Sequence, residues 1–326
     1  MKRIITAITA VALLTACGDG EPFFGPDTDG NVDEIDNLGP GTKNPTPNGA
    51  IQRFEPRTGD GGGLVRGDVR YNARRDTFTV DNIAFDGENV YQRHDGLETL
   101  GGYKVFAGDE VTDDFLTGEA IDQIVPYRAI YGVSRRRVGD SPRTQFAIVR
   151  TGGYFDFGFG GYVYERAGGV VLPDSGQARF TGKYGGMQIQ SGGGGLAFVR
   201  GDMRLDIDFN DFNRNDGIKG RIFNRRLLTD DGDPITQLSD VFWVIEEGTK
   251  TLTRNGEIKT EVFTLRRGSD GALERDFEGT FSGIVAGDTT AGSGGEVVGV
   301  IKMEREDQNV EGVVVQETGG AILYRR

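Results

Sequence analysis

The chain has 326 residues, with 37 Lys and Arg against 50 Asp and Glu, a formal net charge of −13, one Cys and one His. So acidic a chain argues against nucleic acid and anionic lipid head groups as partners, and a lone Cys excludes an internal disulfide. Gly accounts for 53 residues, about twice the usual share, while 10 Pro and no repeat period exclude collagen and suit tight turns between closely packed strands.

In chain order, Lys2 and Arg3 precede an apolar run over 4–14. A bilayer core needs about 20 apolar residues, so this run has the size of a signal-peptide h-region. Leu14-Thr15-Ala16-Cys17 follows and resembles the lipobox of bacterial lipoproteins. The resemblance implies cleavage after Ala16, a diacylglycerol on the Cys17 thiol and an acylated new amine. Residues 1–16 are then a signal peptide, and the membrane is a partner through the N-terminal lipid. Gly18 stands where Asp would favour inner-membrane retention, which points to the outer membrane. Residues 17–60 read as a flexible tether. They hold six of the ten prolines (Pro22, Pro26, Pro40, Pro45, Pro47, Pro56) and few apolar side chains to offset ordering entropy. Such a tether reaches about 35 Å. Asp27-Thr28-Asp29-Gly30-Asn31 lacks the Glu that a calcium loop needs at its end, so it is read as solvated linker.

Beyond residue 60 the hydrophobic period is two. Met203, Leu205, Ile207 and Phe209 alternate with Asp202, Arg204, Asp206 and Asp208, the pattern of a half-buried strand. Similar segments recur over 64–71, 77–85, 102–106, 124–133, 144–150, 154–165, 177–189, 217–224, 241–246, 260–267, 277–285, 296–304, 311–316 and 321–325. Turn signals such as Asp230-Asp231-Gly232-Asp233, Asn255-Gly256 and Ser269-Asp270-Gly271 divide them. A membrane-spanning barrel turns its apolar face outward. Here the outward face is charged, so the apolar face fills an interior. The prediction is an all-β chain: a β-rich handle domain over 61–172, a junction at Leu172-Pro173-Asp174-Ser175-Gly176, and a soluble eight-stranded antiparallel β-barrel over 173–326.

Within that barrel, Ser175-Gly176-Gln177-Ala178-Arg179-Phe180-Thr181-Gly182-Lys183-Tyr184-Gly185-Gly186 resembles the first barrel strand of the transferrin-binding protein B family of lipoproteins. Leu205-Asp206-Ile207-Asp208-Phe209 and Gly217-Ile218-Lys219-Gly220-Arg221-Ile222 resemble its second and third strands. Phe277-Glu278-Gly279-Thr280-Phe281-Ser282-Gly283 with Gly294-Gly295-Glu296-Val297-Val298-Gly299-Val300 resembles a late strand pair. The resemblance covers roughly 175–326. It implies a handle packed on a barrel, one lobe where the name-giving protein has two, and so a fold rather than a ligand. It also implies a surface-exposed, non-catalytic module for a solute or protein ligand, with an outer-membrane TonB-type receptor as the partner to which that ligand is passed. A periplasm-facing structural or envelope-assembly lipoprotein is the alternative.

His94, in a predicted turn, reads as an exposed loop histidine. No Gly-x-Ser-x-Gly elbow, P-loop or dinucleotide fingerprint occurs. Carboxylate pairs such as Asp206/Asp208 and Glu246/Glu247 lie on polar faces and read as solvated charge, leaving carboxylate-based hydrolysis as a third alternative. The oxygen-rich stretch 208–216 reads as a polar hairpin end rather than a cation site. No catalytic residue, metal or cofactor is expected, and the chain reads as a monomer. Binding surfaces on such scaffolds are loops. The candidates are Arg135, Arg136 and Arg137, a basic spot on an acidic chain, and Tyr154, Phe157 and Tyr162 of an aromatic run that serves either as a ligand platform or as handle–barrel core.

Overall fold

Strands form wherever alternation gives a segment one face to bury, and the computed structural model folds the chain in that way. It describes residues 20–22, 38–59, 62–65, 69–80, 90–108, 111–113, 116–122, 127–151, 156–209, 217–245, 251–290, 292 and 294–326. Cys17, Ala16 and Tyr154, and most of 208–216, lie outside the described residues.

The first strands are β1 (Gly20–Pro22), β2 (Ile51–Phe54), β3 (Val69–Asn72), β4 (Thr77–Val80), β5 (Val90–Arg93), β6 (Thr99–Leu100), β7 (Tyr103–Ala107), β8 (Val111–Asp113), β9 (Ala120–Asp122), β10 (Tyr127–Val133), β11 (Arg137–Val138), β12 (Ser141–Pro142), β13 (Thr144–Thr151) and β14 (Gly160–Arg166). Ten of them make one curled antiparallel sheet, the handle, in the order β1-β3-β4-β5-β7-β10-β13-β14-β2 with β6 on β7. The pairs β8–β9 and β11–β12 stand apart.

The later strands are β15 (Val170–Val171), β16 (Gln177–Gln190), β17 (Gly193–Asp208), β18 (Ile218–Leu228), β19 (Pro234–Gln237), β20 (Val241–Trp243), β21 (Glu257–Arg267), β22 (Leu273–Asp288), β23 (Glu296–Glu306) and β24 (Val314–Arg325). Eight of these close an antiparallel barrel in the order β16-β17-β18-β20-β21-β22-β23-β24, with β24 pairing back onto β16. β15 adds in parallel to β22, and β19 pairs with the far half of β18. The predicted fold class is therefore the observed one.

The alternation read from 202–209 holds in space. Met203, Leu205, Ile207 and Phe209 enter the barrel core with Phe180, Trp243 and Phe281. The outer wall carries Arg179–Asp206, Arg204–Asp206 and Lys183–Asp202 ion pairs at 2.6–2.7 Å. Exposed pairs of this kind contribute about 0–1 kcal/mol each. They make the wall one for water rather than for lipid.

Two expectations are corrected. The tether does not run to residue 60, because β2 forms the edge of the handle and all four of its residues are buried. Ile51 joins the core between handle and barrel, and Phe54 the core on the other side of the handle. Gln52 donates to Glu165, and Arg53 reaches Glu257 of the barrel at 2.6 Å. Four residues that bind on both sides overcome the extended, proline-rich character of their flanks. The segments 311–316 and 321–325 are likewise not two strands: Gly319 and Gly320 continue β24 without a break. A Cβ on Gly319 would collide with the Tyr184 ring inside the barrel, and one on Gly320 with the Phe146 ring of the handle. These glycines are bare because aromatic rings lie on both sides of the strand.

The handle packs on the barrel through one shared core. Leu100, Tyr103, Val105, Ile130, Phe146, Ile148, Tyr162 and Tyr164 meet Met187, Phe198, Ile284, Val298, Val300 and Ile322. The Tyr103 hydroxyl donates to the Lys183 carbonyl at 2.7 Å and accepts the Ile322 N–H at 2.8 Å, so it spans two barrel strands that face each other in register. Buried polar groups ring this core: Arg53 with Glu257, and Arg150 with Glu55 and Thr318. Arg166, 0% exposed, has no carboxylate partner in reach of a hydrogen bond among the described residues. It donates instead to the carbonyls of Thr46, Pro47, Gly49, Asn255 and Val285, and burial draws its pKa down to about 10.

Candidate functional site

His94 is not an exposed loop histidine: it is 5% exposed and stands edge-on to Phe198 at the handle–barrel seam. Its Nδ1 accepts the N–H groups of Gly96 and Leu97 at 3.1 and 3.0 Å. That assigns the proton of the neutral ring to Nε2, which lies 3.4 Å from Asp230. Arg128 holds the other side of Asp230 at 2.5 Å. Burial pushes the Asp230 carboxyl up, but the hydrogen bonds from His94 and Arg128 outweigh it and hold the group well below the usual carboxylate range. The ring's nitrogens are committed to the seam, with its turn on one side and an ion pair on the other.

Glu296 marks another part of the seam. Fully buried at the start of β23, it accepts the hydroxyls of Thr144 at 2.8 Å and Ser134 at 3.0 Å from the handle, and burial raises its pKa above 4.5. A carboxyl whose folded pKa lies above its unfolded value supports stability when protonated, and that support is lost as pH rises through the folded pKa. Glu296→Gln is therefore expected to melt higher than the parent at pH 7.5, with the difference vanishing near pH 4. Thermal unfolding followed across that pH range checks it.

The arginine triplet is divided in its roles. Arg136 donates through Nη1 to the carbonyls of Gly294 and Gly295, both at 2.8 Å, and fixes the loop to the turn between β22 and β23, where Arg143 also donates to Gly294. Arg137 is exposed in the short β11–β12 pair. Arg135 is exposed and lies over Tyr324, its guanidinium 4.1 Å from the ring centre. The aromatic run is divided too. Phe157 packs against the shared core, and Tyr162 belongs to it. Burial raises the Tyr162 hydroxyl well above its ordinary pKa.

Two clefts open where handle and barrel part. One, of ≈310 Å³, contains Tyr162 and Tyr164 with Glu55, Lys302, Lys259 and Glu278. Its charges are of both signs, and Glu55 is already shared between Arg150 and Lys302 at 2.9 and 3.0 Å. The other, of ≈520 Å³, lies between the handle turns at Gly101–Gly102 and 133–135 and the outer wall of β16 and β24. Its cationic lining residues are Arg135, Lys183, Arg325 and Arg326, with Tyr324 as aromatic neighbour, and of these Arg325 stands opposite Phe180 of the barrel core. The structure thus places Arg135 and Tyr162 at different clefts. Tyr324, Arg326 and Lys183 escaped the sequence reading, because each looks like ordinary strand-end polarity until β24 is laid beside β16 and the handle turn. Among the described residues no group of three or more His, Cys, Asp or Glu could hold a metal ion. No helix among them is long and apolar enough to cross a membrane.

No family model matches the chain, and no curated protein matches it. Among solved structures it is similar to a doubly substituted form of the vaccine antigen transferrin binding protein B (TbpB) from Haemophilus parasuis Hp5. That match has 12% identity and a TM-score of 0.36, over 79% of this chain and 42% of that one. Intact Ap-TbpB (N and C lobes) matches at 11% identity and a TM-score of 0.33, over 85% of this chain and 52% of that one. A surface lipoprotein matches at 11% identity and a TM-score of 0.30, over 60% of this chain and 81% of that one. The chain spans about half the length of the TbpB structures it matches.

Proposed function

We propose that the chain is a non-catalytic binding lipoprotein, anchored in the outer membrane through Cys17, with the handle–barrel unit facing outward. The observation that carries the binding reading is the ≈520 Å³ junction cleft, whose walls come from two sheets locked by one core. Its side chains are held before any ligand arrives: Arg135 lies on Tyr324, and the Tyr103 hydroxyl is fixed on both β16 and β24. A preformed seat spares the ligand the cost of ordering its site. The ligand is a solute or a protein, and a TonB-type receptor is the partner suited to take it onward. The lipobox at residues 14–17 supports the anchor, and the proline-rich segment after it supports presentation away from the lipid surface.

Labelled fatty acid should enter the chain and be lost in Cys17→Ser. Protease added to intact cells should then cleave the labelled chain. Complete protection until the outer membrane is broken would refute the outward orientation and favour the envelope-assembly alternative.

A further inference from the structure

We infer that the junction cleft binds an oxyanion, a carboxylate or phosphate group of its ligand, between Arg135 and Arg326. The inference rests on the binding reading above and adds the chemistry of the seat.

Charge balance is the first argument. The lining residues of the cleft include four cationic residues and no Asp or Glu, on a chain whose formal net charge is −13. Lys183 is matched by Asp202 at 2.6 Å, and Arg325 stands opposite Phe180 of the barrel core, so the excess in the cleft comes from Arg135 and Arg326. The neighbouring groove on the barrel wall shows the ordinary arrangement. There Arg179 and Arg204 both pair with Asp206, and Gln177 bonds Asp208. Carboxylates thus stand among the cations on one side of Arg326, and no Asp or Glu lines the cleft on the other.

Geometry is the second. Tyr324 and Thr181 face each other in the β24–β16 ladder. Arg135 lies over the ring of the first and donates its backbone N–H to the Tyr324 hydroxyl at 3.1 Å. Arg326 donates from Nε to the hydroxyl of the second at 2.8 Å. Two guanidinium groups are therefore seated on adjacent side chains of one rung. The guanidinium of Arg135 carries no hydrogen bond among the described residues. The terminal nitrogens of Arg326 carry no hydrogen bond among the described residues. Forked N–H groups of this kind match the paired oxygens of a carboxylate or phosphate.

Calorimetric titration of the full chain with inorganic phosphate and with tricarballylate tests the inference and separates the two sources of oxyanion. At least one should bind saturably, and more weakly as NaCl is raised, because the cleft is open to solvent. Arg135→Gln/Arg326→Gln should weaken that binding at least tenfold. Both side chains are on the surface, and circular dichroism of the variant verifies that the fold is kept. Absence of saturable binding by either anion, or a double variant that binds as well as the parent, overturns the inference. N-acetyltyrosine amide serves as a neutral probe. If it alone shifts the Tyr324 ring resonances, the anion inference falls and the binding reading stands. If the chain is protease-protected on intact cells but binds anions, the outward orientation falls and the anion site stands.

Discussion

Arg225→Met is expected to lower the unfolding free energy by about 3–5 kcal/mol, the usual cost of leaving one member of a buried ion pair alone. Arg225 is 1% exposed and Glu317 0%, both inside the barrel. The Arg225 Nη2 donates to the two Glu317 oxygens at 2.7 and 2.6 Å, and its Nη1 to the Ser239 carbonyl. Glu317 also accepts the Tyr184 hydroxyl at 2.8 Å and the Gln188 amide at 2.6 Å. Methionine fills much of the same volume, so the loss measures charge rather than a cavity. Adding Glu317→Gln removes the stranded charge while keeping acceptors for Tyr184 and Gln188, and should recover about 1–3 kcal/mol. Urea unfolding of the parent, both single variants and the double variant gives the coupling. A double variant no more stable than Arg225→Met would show that charge is not what makes the pair costly to break.

Arg166→Ala is expected to cost a similar amount, about 3–5 kcal/mol, for a different reason. No ion pair is broken. Five carbonyls on three stretches of chain lose a donor at once; Thr46 and Pro47 keep the N–H groups of Gly49 and Val170, and a buried acceptor left without a donor costs about 1–3 kcal/mol unless water reaches it. Thr46, Pro47 and Gly49 are nearer the surface, so water will relieve part of their loss. The effect should therefore be directional. Limited proteolysis is expected to cut the variant within 38–59 well before it unfolds globally, whereas Arg225→Met should show no such early site. Simultaneous loss of all sites in Arg166→Ala would argue against its role as the clasp of that segment.

These two arginines also show where reading the sequence succeeds and where it stops. Period-two alternation made the barrel legible because it depends on neighbours along the chain: Met203, Leu205 and Ile207 point in, and Arg204 and Asp206 point out. The same rule would send Arg225 and Arg226 to opposite faces without saying which enters the core. The answer lies in a bulge. Asp202 pairs with Phe223 and Arg200 with Arg226, so Asn224 and Arg225 together face Gly201. Asn224 takes a positive φ of 54°, and Arg225 turns inward over Gly201, where a Cβ would press on its Cγ. A bulge, like the aromatic rings over Gly319 and Gly320, is set by partners far away in sequence.

The junction cleft was half legible for the same reason. Arg135–Arg137 stood out as a basic spot on an acidic chain. Tyr324 lies 189 positions from Arg135, and nothing local ties the two. Arg136 illustrates the reverse case: its charge was visible, but its use on the Gly294 and Gly295 carbonyls was not. The edge strand β2 was missed because composition averaged over the prolines around it hid Ile51 and Phe54.

Arg53 lies 204 positions from Glu257, Arg150 lies 168 from Thr318, and Tyr103 lies 219 from the Ile322 N–H it accepts. Contacts so distant along the chain carry a large loop-closure entropy before they return any stability, and folds built from them form slowly. β24, the last strand, both closes the barrel and supplies Thr318 and Ile322 to the handle. The handle can therefore curl early, but its inner wall stays open to water until the final strand arrives. Refolding is expected to show a lag in burial of Tyr103 and Phe146 relative to strand formation, with an aggregation-prone intermediate in the interval. The seam through which the two sheets share a core is thus also the part of the molecule expected to form late.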